Sequence, residues 1–110
     1  MIINFLIIIQ GIIMTAEEIF ELPMIYVNKD LTLHHEKTIK NKSIILNYLH
    51  NGTMVATLAE YPHDIFTDTS IPMESFIQTD YHFKWLNTLV YYVDKYEIEL
   101  PEEFYNIIGV

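Results

Sequence analysis

Between Lys42 and Pro62 the chain reads KSIILNYLHNGTMVATLAEYP, two apolar runs separated by Asn51-Gly52. This stretch constrains the fold more than any other. Asn-Gly suits a type I′ turn, in which both central residues take φ > 0, and such a two-residue loop closes an antiparallel hairpin. In that register His50 faces Thr53, Leu49 faces Met54 and Tyr48 faces Val55. One face carries Ile45, Leu49, Met54 and Leu58, and the other Ile44, Leu46, Tyr48 and Val55, so both are apolar. The rival is a helix that ends at His50 with Gly52 in its C-terminal cap, and Ile45, Tyr48 and Leu49 do suit helical spacing. The hairpin is the preferred reading.

The flanking sequence sets what surrounds that unit. Thr15 and Glu18 form a T-x-x-E capping box, which predicts a short helix from about Ala16 to Leu22, stopped by Pro23. MIYVNKDLTLH follows and predicts strand over Met24–Val27 and again over Leu31–Leu33, with a turn at Asn28-Lys29-Asp30. Pro62 to Pro72 reads as a polar loop. Beyond it Phe83, Leu86, Val90 and Val93 recur at three- and four-residue steps, predicting a short helical turn over Met73–Gln78 and a main helix capped by Asp80. Glu97 to Leu100 alternates as an extended link, after which Pro101 opens a last helix that Gly109 closes. A helix, a run of strands and then helices make an α+β fold: a short N-terminal helix, a small antiparallel sheet with a hairpin at Asn51-Gly52, and C-terminal helices packed on the sheet.

The 110 residues suffice for one domain, and 51% hydrophobic content with eight Tyr, six Phe and one Trp excludes a disordered chain. Residues 1–13, MIINFLIIIQGII, stand apart, being almost wholly apolar and without charge. A transmembrane helix needs about 20 apolar residues, and Glu17-Glu18 interrupts this run too early. A secretory signal fits its length, with Ala16 at a cleavage site, but there is no Lys or Arg at the start and Met14 is a poor residue for the −3 position. The remaining readings are a buried strand or helix, or an upstream extension to a chain starting at Met14. The division is therefore an apolar segment over 1–13 and a single α+β domain over 14–110.

Net charge is −9, and from Ser43 onward ten carboxylates face two lysines. That balance disfavours direct binding of nucleic acid or of an anionic membrane, both of which need clustered cations. It suits a basic protein partner. No cysteine is present, so there is neither a disulfide framework nor thiolate chemistry, which fits a reducing, cytoplasmic setting.

Catalytic and metal signatures are weak. His34-His35 are adjacent and on a strand would point to opposite faces. His63, Asp64 and Asp68 share a loop and have metal-ligating chemistry, but ordinary solvated loop residues explain them better. There is no H-E-x-x-H pair, nucleophile elbow or phosphate-binding glycine loop. An enzyme would have to bring His63 or His82 against a carboxylate, and the paired acids Glu17-Glu18 and Glu102-Glu103 read as helix first-turn residues. No cofactor, metal or catalytic residue is assigned.

The aromatic, acidic C-terminal half carries the functional expectation. Carboxylates steer a partner while rings anchor it. The candidate partner-binding residues are Asp80, Asp94, Glu97, Glu99, Glu102 and Glu103 for charge, with Trp85, Tyr92 and Tyr96 as anchors. The expected function is a small acidic inhibitor of a basic, nucleic-acid-handling or toxin protein, of the class that includes immunity proteins, antitoxins and phage anti-defence proteins. The alternatives are a membrane-associated or exported protein using residues 1–13 and, behind it, a small hydrolase.

Overall fold

Trp85 lies at the centre of the molecule, fully buried between a four-stranded sheet and the C-terminal helix. The computed structural model describes the backbone of residues 6–9 and 12–110 and the side chains from Met14 onward. Strands β1 (Leu6–Ile9) and β2 (Ile12–Thr15) pair antiparallel within the apolar N-terminal segment. The rest of that segment's readings lie outside the described residues. Helix α1 (Ala16–Phe20) follows with the predicted box in place: Glu18 N–H donates to Thr15 Oγ1 at 3.1 Å, and Thr15 N–H donates to the Glu18 carboxylate at 3.4 Å.

The main sheet has the order β3–β6–β5–β4, formed by Met24–Ile25, Lys84–Leu86, Ser75–Thr79 and Thr53–Leu58 respectively. Helices α2 (Glu36–Lys40) and α3 (Lys42–His50) precede β4, and α4 (Leu89–Tyr96) and α5 (Glu102–Ile108) complete the chain. The α+β architecture, the short N-terminal helix and the C-terminal helices are as read from the sequence. The sheet is mixed rather than purely antiparallel, because β3 runs parallel to β6. Phe104 of α5 packs edge-on against Trp85 and Phe83, with ring centroids 5.6 Å apart in both pairs, and so fixes that helix on the sheet.

The segment before Asn51-Gly52 corrects the hairpin expectation. It is helix α3, with Ile45 and Leu49, one turn apart, both completely buried. An apolar run with ring and aliphatic residues on all sides satisfies period 2 and period 3.6 alike, and tertiary burial of the Ile45/Leu49 stripe decides between them. Asn51 sits at φ −85°, outside the left-handed region a type I′ turn requires. Gly52 has a different reason to be glycine: a Cβ there would lie 2.6 Å from Trp85 Cζ2 and 3.2 Å from Gln78 Cβ. The residue makes room for the tryptophan. Strand β4 then pairs with β5, with a register shift between Met54 and Ala56.

A tight antiparallel connection does occur, between β5 and β6, where a helix was expected. Asp80 caps a turn rather than a helix: its Oδ1 accepts from the N–H groups of His82 and Phe83 at 2.9 and 2.7 Å. Met73–Gln78 is accordingly mostly strand, and helix begins only at Leu89. The extended stretch stops at Ile25, and 31–33 forms no strand, although the turn at Asn28 is present, with Asp30 N–H donating to Asn28 Oδ1 at 2.8 Å. The Glu97–Leu100 link alternates as expected, Ile98 and Leu100 buried and Glu99 exposed.

Candidate functional site

Three groupings of tyrosine and carboxylate are present, and they differ in what is left free. The first is closed. Asp64 opens the Pro62–Pro72 loop and is completely buried. Its Oδ1 accepts from the Phe66 and Thr67 amides at 2.8 and 3.2 Å, and its Oδ2 from the Tyr91 and Tyr96 hydroxyls at 2.7 and 2.5 Å. Lys95 Nζ stands 3.7 Å from the same oxygen and 5.4 Å from the centroids of both tyrosine rings. Burial alone would push the carboxyl up. The hydroxyls of Tyr96 and Tyr91 and the two amides outweigh it, and the pKa falls to about 2. Every direction of this carboxylate is used internally, so it anchors the loop to α4. It is not the solvated loop residue the sequence indicated. His63 beside it is exposed, and among the described residues no three His, Asp or Glu side chains are placed to hold a metal ion.

The second grouping holds most of the residues singled out in the sequence, and it is largely spent on the fold. Trp85 and Tyr92 are buried, so neither presents a ring to a partner. Tyr92 hydroxyl instead donates to the His63 carbonyl at 3.1 Å and accepts from the Ile65 amide at 3.0 Å. Tyr96 is half-buried and committed to Asp64. Glu97 lies 2.8 Å from His34 Nδ1 and 3.5 Å from Lys42, and those neighbours, His34 first, hold its carboxyl below the ordinary value. Asp94 is exposed but 3.6 Å from Lys42, and Glu102 is exposed but 3.2 Å from Lys37. Asp80 belongs to the β5–β6 turn. Glu99 and Glu103 are exposed.

The third grouping is open. Tyr26 is 72% exposed and Tyr61 90% exposed, an unusual state for two large rings in one small domain. Between them lies a hollow of about 300 Å³ floored by Ile25, Val27, Ile65, Ile71, Leu86 and Leu89. It shares Tyr26 with a second hollow of about 280 Å³ that Glu99 and Glu102 border. It shares Glu60 and Tyr61 with a third, of about 340 Å³, that Glu74 borders. The three are therefore contiguous, and among the described residues no lysine lines any of them. Two of the expected acids, Glu99 and Glu102, fall on this surface. Tyr26, Tyr61, Glu60 and Glu74 were not anticipated. The one signal for Tyr61 was its place between Glu60 and Pro62, at the exit of an apolar run where no periodicity calls for burial.

This surface can take apolar side chains into its hollows, lay rings against a partner and meet cations at its rim. Among the described residues no helix is long and apolar enough to cross a membrane. Neither a family model, nor a curated protein, nor a solved structure matches the chain.

Proposed function

We propose that this chain is a small acidic protein-binding module that inhibits a basic, nucleic-acid-handling or toxin protein, as immunity proteins, antitoxins and anti-defence proteins do. It works as a binder rather than an enzyme, in the cytoplasm where such targets act. The observation that supports this reading is the lysine-free surface around exposed Tyr26 and Tyr61, with Glu60, Glu74, Glu99 and Glu102 at its margins. Rings that are already exposed bury apolar area on docking, and tyrosines at the centre of an interface are frequent hot spots. Carboxylates around them steer a cationic surface and occupy its phosphate-binding positions. The net charge of −9 makes a basic protein the complementary partner.

The test is affinity capture from the native host at low and at high salt, followed by binding and inhibition assays with the purified captured protein. One stoichiometric basic partner, released as salt rises, is expected. The double variant Tyr26→Ala/Tyr61→Ala should weaken it by about 30-fold or more, each ring behaving as a hot spot. A partner that binds this double variant as tightly as the parent protein would refute the assignment of the surface.

A further inference from the structure

A separate cavity of about 460 Å³ lies between α3, the β5–β6 turn and α5, lined among others by Asn47, Tyr48, Asp80, Tyr81, His82 and Ile107. Its chemistry is unlike that of the Tyr26–Tyr61 surface. Asp80 is half-buried here, its Oδ2 accepting from the Tyr48 hydroxyl at 2.6 Å while its Oδ1 is held by the turn amides. A carboxylate oxygen has two lone pairs, so Oδ2 keeps capacity for one more donor.

Tyr81 is the unusual element. It sits at φ 71°, a position that a bulky residue rarely adopts and that glycine or asparagine fills more easily. Thr79 Oγ1 accepts from the Tyr81 amide at 2.9 Å and donates to the Phe83 carbonyl at 2.6 Å, which holds the turn in this shape. The hydroxyl so positioned is buried and has no hydrogen-bond partner. An unmet buried hydroxyl is costly and calls for an explanation. Among the described residues no lysine lines the cavity to supply the missing donor.

We propose that this cavity binds an alkylammonium group. Asp80 supplies the counter-charge and its free lone pair, the Tyr81 hydroxyl accepts an ammonium N–H, and the rings of Tyr48 and Tyr81 line the site of a cation that aromatic faces attract. Ile44, Ile107 and Ile108 offer apolar cover for the alkyl stem. The strongly negative chain raises the local concentration of cations around it. The proposal is independent of the Tyr26–Tyr61 reading, since the two surfaces share no lining residue.

The experiment is an NMR titration of the full chain with n-butylammonium chloride at about pH 8, where histidine is neutral. Tetramethylammonium chloride, which carries the charge without an N–H donor, is the control. Saturable shifts confined to the cavity residues are expected with butylammonium, and only weak linear ones with the control. Asp80→Asn should weaken binding by about tenfold or more. Tyr81→Phe should weaken it about threefold or more, yet leave the fold as stable or more stable, because an unpaired buried hydroxyl is gone. A short lysine peptide and its Nε-acetylated form distinguish the source. Preference for the peptide identifies a partner's lysine, and equal binding of butylammonium identifies a free amine. No saturation by either ammonium probe, an equal response to tetramethylammonium, or Tyr81→Phe binding like the parent chain would overturn the proposal.

Discussion

Asp64 with Tyr91 and Tyr96, and Glu60 with Tyr61, use the same residue types in opposite surroundings. At Asp64 the carboxylate is completely buried and accepts four hydrogen bonds, so the rings and the charge are consumed in holding a loop on a helix. At Tyr61 the ring is 90% exposed, and Glu60 beside it is exposed too. The difference teaches that an aromatic–acidic composition has no functional meaning by itself. What matters is whether hydrogen bonds within the chain have already used it.

That contrast can be broken by mutation. Asp64→Ala removes the acceptor from two hydroxyls and two amides at once, and should cost about 3–5 kcal/mol in urea unfolding. Glu60→Ala should stay within about 0.5 kcal/mol, as is usual for an exposed side chain outside such a network. Equal effects at the two positions would erase the distinction. Next in size, Tyr96→Phe deletes one charge-assisted bond of 2.5 Å and should cost about 1.5–3 kcal/mol, measured the same way.

Acid sharpens the comparison without changing a residue. The folded pKa of Asp64, about 2, lies below the unfolded value near 3.9, so the unfolded chain binds the proton first as pH falls. The stabilisation is fully present above the unfolded value and is lost as pH drops from about 4 towards 2. Unfolding followed over that range should show Asp64→Asn losing less stability than the parent chain. The smallest expected effect is on the open side: Tyr26→Ala and Tyr61→Ala should each change stability by less than about 0.5 kcal/mol while weakening partner binding. A large loss of stability would move those rings from the interface into the fold.

Local chemistry in the sequence was read best where it depends on a few neighbours. The Thr15–Glu18 box, the Asn28 turn, the alternation over Glu97–Leu100 and the Gly109 stop all act within a few residues, and all are present. Gly109 indeed takes φ 92°. Asn51-Gly52 was misread because its glycine answers a contact with Trp85, more than thirty positions away in the chain, and no local pattern records that. The β5–β6 turn was missed for the converse reason. It puts Tyr81 in the left-handed region with Asp80 and Thr79 side chains supporting it, where turn chemistry predicts glycine or asparagine. The candidate interface was legible only in kind. Its aromatic and acidic composition was foreseen, but Trp85 and Tyr92 went to the core and Tyr96 to Asp64. Tyr26 and Tyr61 come together through the parallel pairing of β3 with β6, which joins segments far apart in sequence.

The central claim is that the Tyr26–Tyr61 surface, not the C-terminal acidic face, meets the partner. The most direct measurement is photo-crosslinking in the native host with p-benzoylphenylalanine placed at Tyr61 and, in a parallel protein, at exposed Ile39 of α2. The account predicts one basic protein crosslinked through position 61, lost when salt is raised, and none through position 39. A crosslink through position 39 with none through position 61 would contradict it.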